Sequence, residues 1–380
     1  MKVLILSNQD ISGIHASWKK EGEQARAEHL WGATTLSKHG IDVEILPFEK
    51  YKPLKNLSKG IKILGDLDQQ LRTILTCSTS QIDAIYSAHH LTTPLLAALR
   101  KLRILRTPVV AIAYQSMNPS FWGNIFTQLC VDGNDQIICL SQKLKDDLIQ
   151  DFNINPAKIS VAEWGGDLPF YPIGEAANES HSKPIILSAG KTYRDYPTLL
   201  AAIETLNCEL QICGHAYQEV RRDLTLPANA VFYNEVLPWR AVLERYRKAY
   251  AVAIPLADKR NKPKNAVGLT NLLEAMAMGK PVVMTRNNLS RYVVDIEAEG
   301  IGLWVDTGDV NGWQEALGYL INHPEAAHQM GAKARQLAEQ EMNLNVFSRK
   351  VASALSRVGL VNPAVKENIE SMQTINSIER

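Results

Sequence analysis

Two segments in the second half of this 380-residue chain place charged side chains where an apolar run gives way to a helical pattern. In 265–283, NAVGLTNLLEAMAMGKPVV, Gly268 opens the pattern and Gly279 closes it before the next apolar run. A helix start offers free backbone N–H groups and the positive end of the dipole, which suits a phosphate. Glu274 lies well inside, flanked by Leu272, Leu273, Ala275 and Met276. A carboxylate among apolar neighbours needs a hydrogen-bonding partner. A ribose diol is one candidate; a place on an exposed helix stripe is the alternative. In 187–196, LSAGKTYRDY, the chain enters Gly190 and then a helix, with Lys191 and Arg194 in the turn. Two such cations could neutralise a diphosphate and stabilise it as a leaving group. Plain surface charge explains them less well, because cations are mildly unfavourable at a helix start.

The first half offers weaker chemistry. His89 and His90 follow a strand pattern at 83–86, at the carboxyl end where a cleft residue would sit, and His15 lies in the loop after the first strand. A satisfied buried imidazole is the competing reading of each, and His215, after Gly214, has less to favour it. Gly22, at the start of the next helical pattern, could offer its N–H to a diphosphate from the opposite wall. No histidine spacing resembles a zinc site. Asp66–Leu67–Asp68 forms a DxD, but in a helical stretch far in sequence from the other two segments, and it reads as a solvated helix face. The basic clusters Lys50, Lys52, Lys55, Lys59, Lys62 and Arg100, Lys101, Arg103, Arg106 also read best as solvated; contact with anionic headgroups is the alternative.

The elements that must position these residues alternate almost from end to end. Strand patterns fall at 2–7, 42–46, 83–86, 108–113, 136–140 and 158–162, with helical patterns at 23–38, 92–102 and 142–150 among them. After a polar, aperiodic stretch at 173–182, strands recur at 184–188, 209–213, 230–233, 251–255, 281–284 and 302–305. Helices fit 196–205, 239–248, 269–279, 310–321 and 324–341. Continuous Val/Ile/Leu strands separated by helices indicate parallel sheets covered on both faces. The architecture expected is α/β: two doubly wound, Rossmann-like domains facing across a cleft. The first is 1–172, then comes a linker at 173–182, the second is 183–344, and 345–380 is a returning helix with a polar tail. Ligands of such sheets bind outside the carboxyl ends of their strands.

Composition excludes several classes. With 46% hydrophobic and 21% charged residues the chain is ordinary globular protein, and 41 Lys and Arg against 40 Asp and Glu leave no field to draw in nucleic acid. Five cysteines, with no CxxC, favour a reducing compartment. The opening MKVLILSNQD reads as a buried strand and no apolar run reaches the roughly 20 residues of a membrane span, so a cytoplasmic protein is expected. Neither half shows GxGxxG after its first strand, which disfavours a nicotinamide enzyme.

The segments GLTNLLEAMAMGKPVV, AGKTYRDYPTLLAAI and WGGDLPFYP, together with the stretch GLWVDTGDVNGWQEALGYLINHPEAAHQMGAKAR, resemble the retaining family-4 glycosyltransferases of the GT-B fold. The resemblance implies transfer of a sugar from a nucleotide diphosphate sugar, UDP-linked before GDP-linked, to a hydroxyl acceptor on a glycan, a lipid or a small natural product. It implies no cofactor and no metal, the nucleotide-sugar being a co-substrate. Attack comes on the face from which the diphosphate departs, and a peripheral membrane contact is compatible with it. Glu274 would hold the donor ribose, and Gly268, Leu269 and Thr270, with Asn271, would present groups to the sugar and diphosphate. Lys191 and Arg194 would grip the diphosphate beside Gly190, each standing where the family usually has the other basic residue. Val236 would lie near the base, and 345–360 would form the helix that returns to the first domain.

The chain departs from the family pattern at two places. Ala266 stands eight residues before Glu274, where the family has a first glutamate, and Tyr114–Gln115 stand on the acceptor side where it often has histidine. A catalytically weakened nucleotide-sugar-binding partner is therefore the alternative from another class, and a nucleotide-sugar epimerase the alternative among enzymes.

Overall fold

The computed structural model describes residues 1–21, 26–60, 65–113, 121–173, 183–190, 193–214, 226–233, 237–257, 267–286 and 288–359. They fall into two units, Met1–Trp164 with the helix that begins at Leu344, and Gly165–Asn343.

In the first unit β1 (Lys2–Leu6), β2 (Asp42–Ile45), β3 (Ala84–Ser87), β4 (Val109–Ala113), β5 (Gln136–Cys139) and β6 (Ile159–Val161) form one parallel sheet in the order β2-β1-β3-β4-β5-β6. Its helices are α1 (Ile11–Glu21), α2 (Lys52–Gly60), α3 (Leu67–Thr79), α4 (Pro94–Lys101), α5 (Phe121–Gly133) and α6 (Gln142–Phe152). Val3–Leu6 and Val109–Ala113 are wholly buried, as uninterrupted apolar strands require when both faces of a sheet are covered. The chain leaves β1 for β2 on one side and returns to β3 on the other, so its direction reverses between β1 and β3.

One expected helix fails. The pattern at 23–38 does not form a single helix: Trp31 (φ 53°) and Gly32 (φ 86°) both take left-handed backbone, and the chain makes short 3₁₀ turns at Glu28–Leu30 and Leu36–His39. A side chain at position 32 would meet the Ser348 hydroxyl, so the break makes room for a later helix. Trp31 stacks on Trp164 with ring centroids 5.4 Å apart and touches Phe347.

In the second unit β7 (Ile185–Ala189), β8 (Glu209–Cys213), β9 (Ala230–Tyr233), β10 (Ala251–Ile254), β11 (Val282–Thr285) and β12 (Gly302–Val305) are parallel in the order β12-β11-β10-β7-β8-β9. Around them lie α7 (Tyr196–Ile203), α8 (Trp239–Lys248), α9 (Leu269–Ala277), α10 (Asn288–Val293), α11 (Val310–Asn322) and α12 (Pro324–Gln340). Here the reversal falls between β7 and β10. The last described helix, α13 (Leu344–Gly359), buries Phe347, Val351 and Leu355 in the first unit, where Lys350 pairs with Glu163 and the hydroxyls of Thr35 and Ser348 bond.

Helix α9 is fixed from behind by α12. Gly331 lies against Gly279, just past the end of α9, so that a Cβ at 331 would stand 2.3 Å from the Gly279 carbonyl oxygen. Arg335 of the same helix donates to the carbonyls of Ala277 and Tyr171, satisfying an end that would otherwise leave acceptors unpaired. All five cysteines are unpaired thiols, four of them buried.

Gly331→Ala should lower the thermal midpoint and cost about 1–3 kcal/mol by forcing α12 off α9. Alanine is the better helix former by about 1 kcal/mol, so a gain in stability would remove the close approach as the reason for glycine.

Candidate functional site

The reversal in the second sheet brings together the two segments that carry the charged residues. Residues after β7 and after β10 pair directly: Arg194 and Leu256 form an antiparallel bridge. The Asp195 N–H donates to Pro255 O at 3.2 Å and the Ala257 N–H to Tyr193 O at 2.9 Å. Tyr193 adopts φ 49° to make this turn, and Asp195 then caps α7 by accepting from the Thr198 N–H and hydroxyl.

Gly190 has φ 112°, and a Cβ there would stand 2.2 Å from Arg194 Nη2 and 2.7 Å from Asn271 Oδ1. Glycine is therefore what allows the half-buried guanidinium to fold back over the end of β7. Arg194 donates to the Ala189 carbonyl at 3.3 and 3.4 Å and to Asn271 Oδ1. Tyr196, buried, donates its hydroxyl to the Gly190 carbonyl at 2.9 Å.

Helix α9 begins at Gly268, whose φ of 85° and close approach to Met284 and Ile254 leave no room for a side chain. Among the described residues no side chain caps this end, so Leu269, Thr270 and Asn271 stand at the first turn with its N–H groups. Glu274 is 2% exposed, which removes the exposed-stripe alternative. Its Oε2 accepts from the Tyr246 hydroxyl at 2.7 Å and from Asn271 Nδ2 at 2.9 Å. Asn271 Nδ2 also donates to the Tyr246 hydroxyl at 3.2 Å. Arg194, Asn271, Glu274 and Tyr246 thus form one connected polar group at the carboxyl end of the sheet. Sequence reasoning missed Tyr246. The signal was there in the inward i, i+4 pair Val242 and Tyr246 on an otherwise basic helix.

In the first unit the corresponding reversal lies beside the histidines. His89 and His90 follow β3, nearly buried, with ring centroids 5.0 Å apart. Burial pushes the His89 imidazole down to about 4, and burial, with His89 beside it, takes His90 to about 3. His90 Nδ1 lies 3.3 Å from Ile112 O, so it donates in the neutral ring, while Nε2 has no hydrogen-bond partner among the described residues. His15 is on α1 rather than in a loop, stacks on Trp18, and is lowered by partial burial and by Lys19. His29 is held down to about 4, by burial and then by Arg26.

The DxD is not a solvated face. Asp66 caps α3 through the Gln69 N–H and pairs with Lys55 at 2.5 Å. Asp68 is fully buried, pairs with Arg72 at 2.6 Å and accepts from the N–H groups of Lys50 and Tyr51. Burial alone would raise the Asp68 carboxyl; Arg72 and the two N–H groups outweigh it and hold the group below its usual range. Both carboxylates tie loop to helix. The basic clusters are also partly consumed, by Lys55–Asp66, Arg100–Asp135 and Lys101–Asp132 pairs, while Leu102 and Ile104 are exposed beside Arg103 and Arg106. Lys191, Val236, Gly22, Tyr114, Gln115, His215, Ala266, Lys62 and the loop 258–264 lie outside the described residues, and the Lys59 side chain is likewise not described. Among the described residues no group of three or more metal-ligating side chains occurs, and no helix is long and apolar enough to cross a membrane.

Two doubly wound sheets, the second with a helix start and an arginine meeting at its strand reversal, define a nucleotide-binding α/β protein. Residues 20–168 match the family described as Glycosyltransferase Family 4, and 174–337 that described as Glycosyl transferases group 1. The chain belongs to these family-4, group 1 glycosyltransferases, and its fold is GT-B.

It is similar to the D-inositol 3-phosphate glycosyltransferase of Corynebacterium glutamicum (strain R), 27% identical over 276 residues, which are 65% of this chain and 62% of that relative. The match therefore spans less than two thirds of the relative's length. Among solved structures, Anabaena Alr3699/HepE in complex with UDP superposes with a TM-score of 0.64 at 16% identity, over 94% of this chain and 100% of that one. Sucrose-phosphate synthase of Thermosynechococcus elongatus gives 0.67 at 14% identity, over 95% and 99%.

The buried imidazoles set a pH limit on stability. The unfolded chain protonates each ring near 6.5, whereas folded His89 and His90 resist protonation to about 4 and about 3. Their contribution is complete above 6.5 and is lost as pH falls through the folded values. The urea midpoint should drop between about pH 7 and about pH 5, and His90→Gln should flatten that slope. An unchanged slope would show that the ring is not held neutral by the fold.

Proposed function

We propose that this chain transfers a hexose from a UDP-sugar to a hydroxyl acceptor with retention of configuration and without a metal. The observation that carries the reading is the connected group at the second sheet's reversal: a guanidinium at the helix start and a buried carboxylate one turn further on, joined through Asn271. The family pattern assigns those two positions to the diphosphate and to the ribose. UDP as the carrier draws support from Alr3699/HepE, whose structures include complexes with UDP and with UDP-glucose.

A UDP-sugar reacts by losing a diphosphate, so the barrier falls where fixed positive groups meet the developing anion. Arg194 and the α9 N–H groups supply them, with Lys191 three positions earlier in the sequence as a second cation. The departing phosphate oxygen takes the acceptor's proton on the face it leaves, so no protein nucleophile is required. In this reading the hydroxyl acceptor is the first unit's ligand, with His15, His89, Tyr114 and Gln115 as its candidate residues. Any contact with a membrane would use Arg103 and Arg106 beside exposed Leu102 and Ile104, in a reducing cytoplasm.

A second reading keeps the binding and drops the turnover. Ala266 removes the carboxylate that the family sets eight residues before Glu274, which would leave a nucleotide-sugar-binding partner of another transferase.

Arg194→Ala should slow release of UDP from UDP-glucose about 100-fold, and Glu274→Ala should weaken UDP binding about tenfold, both with the fold intact. Chelator should change neither rate. Wild-type turnover in both variants would remove the site. UDP binding without sugar transfer or hydrolysis for any donor in a UDP, GDP, ADP and dTDP panel would favour the binding partner.

A further inference from the structure

We propose that Tyr246 is a positioning residue that, with Asn271, holds the Glu274 carboxylate in the rotamer that recognises ribose hydroxyls. The inference rests on the reading of Glu274 as the ribose group and names what makes that group selective. Tyr246 is fully buried and comes from α8, a different helix from the residues it touches. Its hydroxyl donates to Glu274 Oε2 at 2.7 Å and accepts from Asn271 Nδ2 at 3.2 Å. The amide of Asn271 has one orientation that satisfies its neighbours. Its oxygen must face Arg194, which has donors alone, and its nitrogen must face the carboxylate, which has acceptors alone. Two donors, one from α8 and one from α9, thus hold one oxygen of the Glu274 carboxylate.

The energetics argue against a purely structural role. Enclosing a carboxylate, an amide, a phenol and part of a guanidinium costs desolvation that apolar residues of the same volume would avoid. The group lies where the sheet order reverses, at the ligand end of the strands, and not in the apolar centre formed by Leu199, Ile203, Trp313 and Leu317. Tyr246 therefore acts through Glu274 on one part of the ligand, the ribose diol, and leaves the diphosphate to Arg194.

Calorimetry of the full chain with UDP and with 2′,3′-dideoxy-UDP separates this from packing. The unaltered protein should prefer UDP. Tyr246→Phe, which keeps the ring, should weaken UDP about fivefold and leave the dideoxy analogue unchanged, so the preference shrinks. Equal losses on both ligands would make Tyr246 a packing residue, and an undiminished preference would mean that Glu274 needs no help from it; either result overturns the inference. Should Tyr246→Phe melt at a lower temperature, Asn271→Asp reads the same preference from the other donor, and an undiminished value there counts equally against it. If the unaltered chain fails to bind UDP, or binds both ligands alike, the ribose reading of Glu274 falls first and this inference with it.

Discussion

The bridge between Arg194 and Leu256 is the contact on which the second unit's polar group depends. Strand order makes it possible: the chain builds β7, β8 and β9 outward, then returns to place β10 on the free side of β7. The segments leaving β7 and β10 are then neighbours at the same end of the sheet, and the two backbone hydrogen bonds of the bridge seal them together. Two glycines with positive φ make the approach tolerable, Gly190 beneath the guanidinium and Gly268 above Ile254 and Met284. Were either segment displaced, an arginine and a carboxylate some eighty positions apart in sequence would have no route to each other.

Charge is handled differently in the two units. In the second it is gathered into a buried network whose members satisfy one another, and a low local dielectric makes such a network rigid when complete. In the first, ionised side chains are spent on architecture, with Asp68 gripping Arg72 and the backbone at 50–51, while the imidazoles after β3 are kept uncharged.

The strands were legible because buried parallel strands are written as unbroken apolar runs; β4 and β10 could hardly be read otherwise. The α9 segment was legible because two glycines bracket it. What escaped was tertiary. The pattern at 23–38 looks helical, yet Trp31 and Gly32 turn left-handed so that Trp31 can stack on Trp164 and meet α13, partners more than a hundred residues away. Asp66 and Asp68 looked solvated because nothing nearby in sequence shows that Lys55 and the 50–51 backbone will close over them. Tyr246 hid for a similar reason: an inward tyrosine looks the same whether it meets leucine or a carboxylate.

The first unit is discontinuous in sequence, for its sheet precedes the second unit and its covering helix α13 follows it. During synthesis the 165–343 segment can therefore complete its core while the earlier sheet still lacks the helix that covers Trp31. Domains generally fold as units on the ribosome, amino-terminal first. In this chain the amino-terminal unit is complete only once α13, with the Phe347 that meets Trp31, has been made.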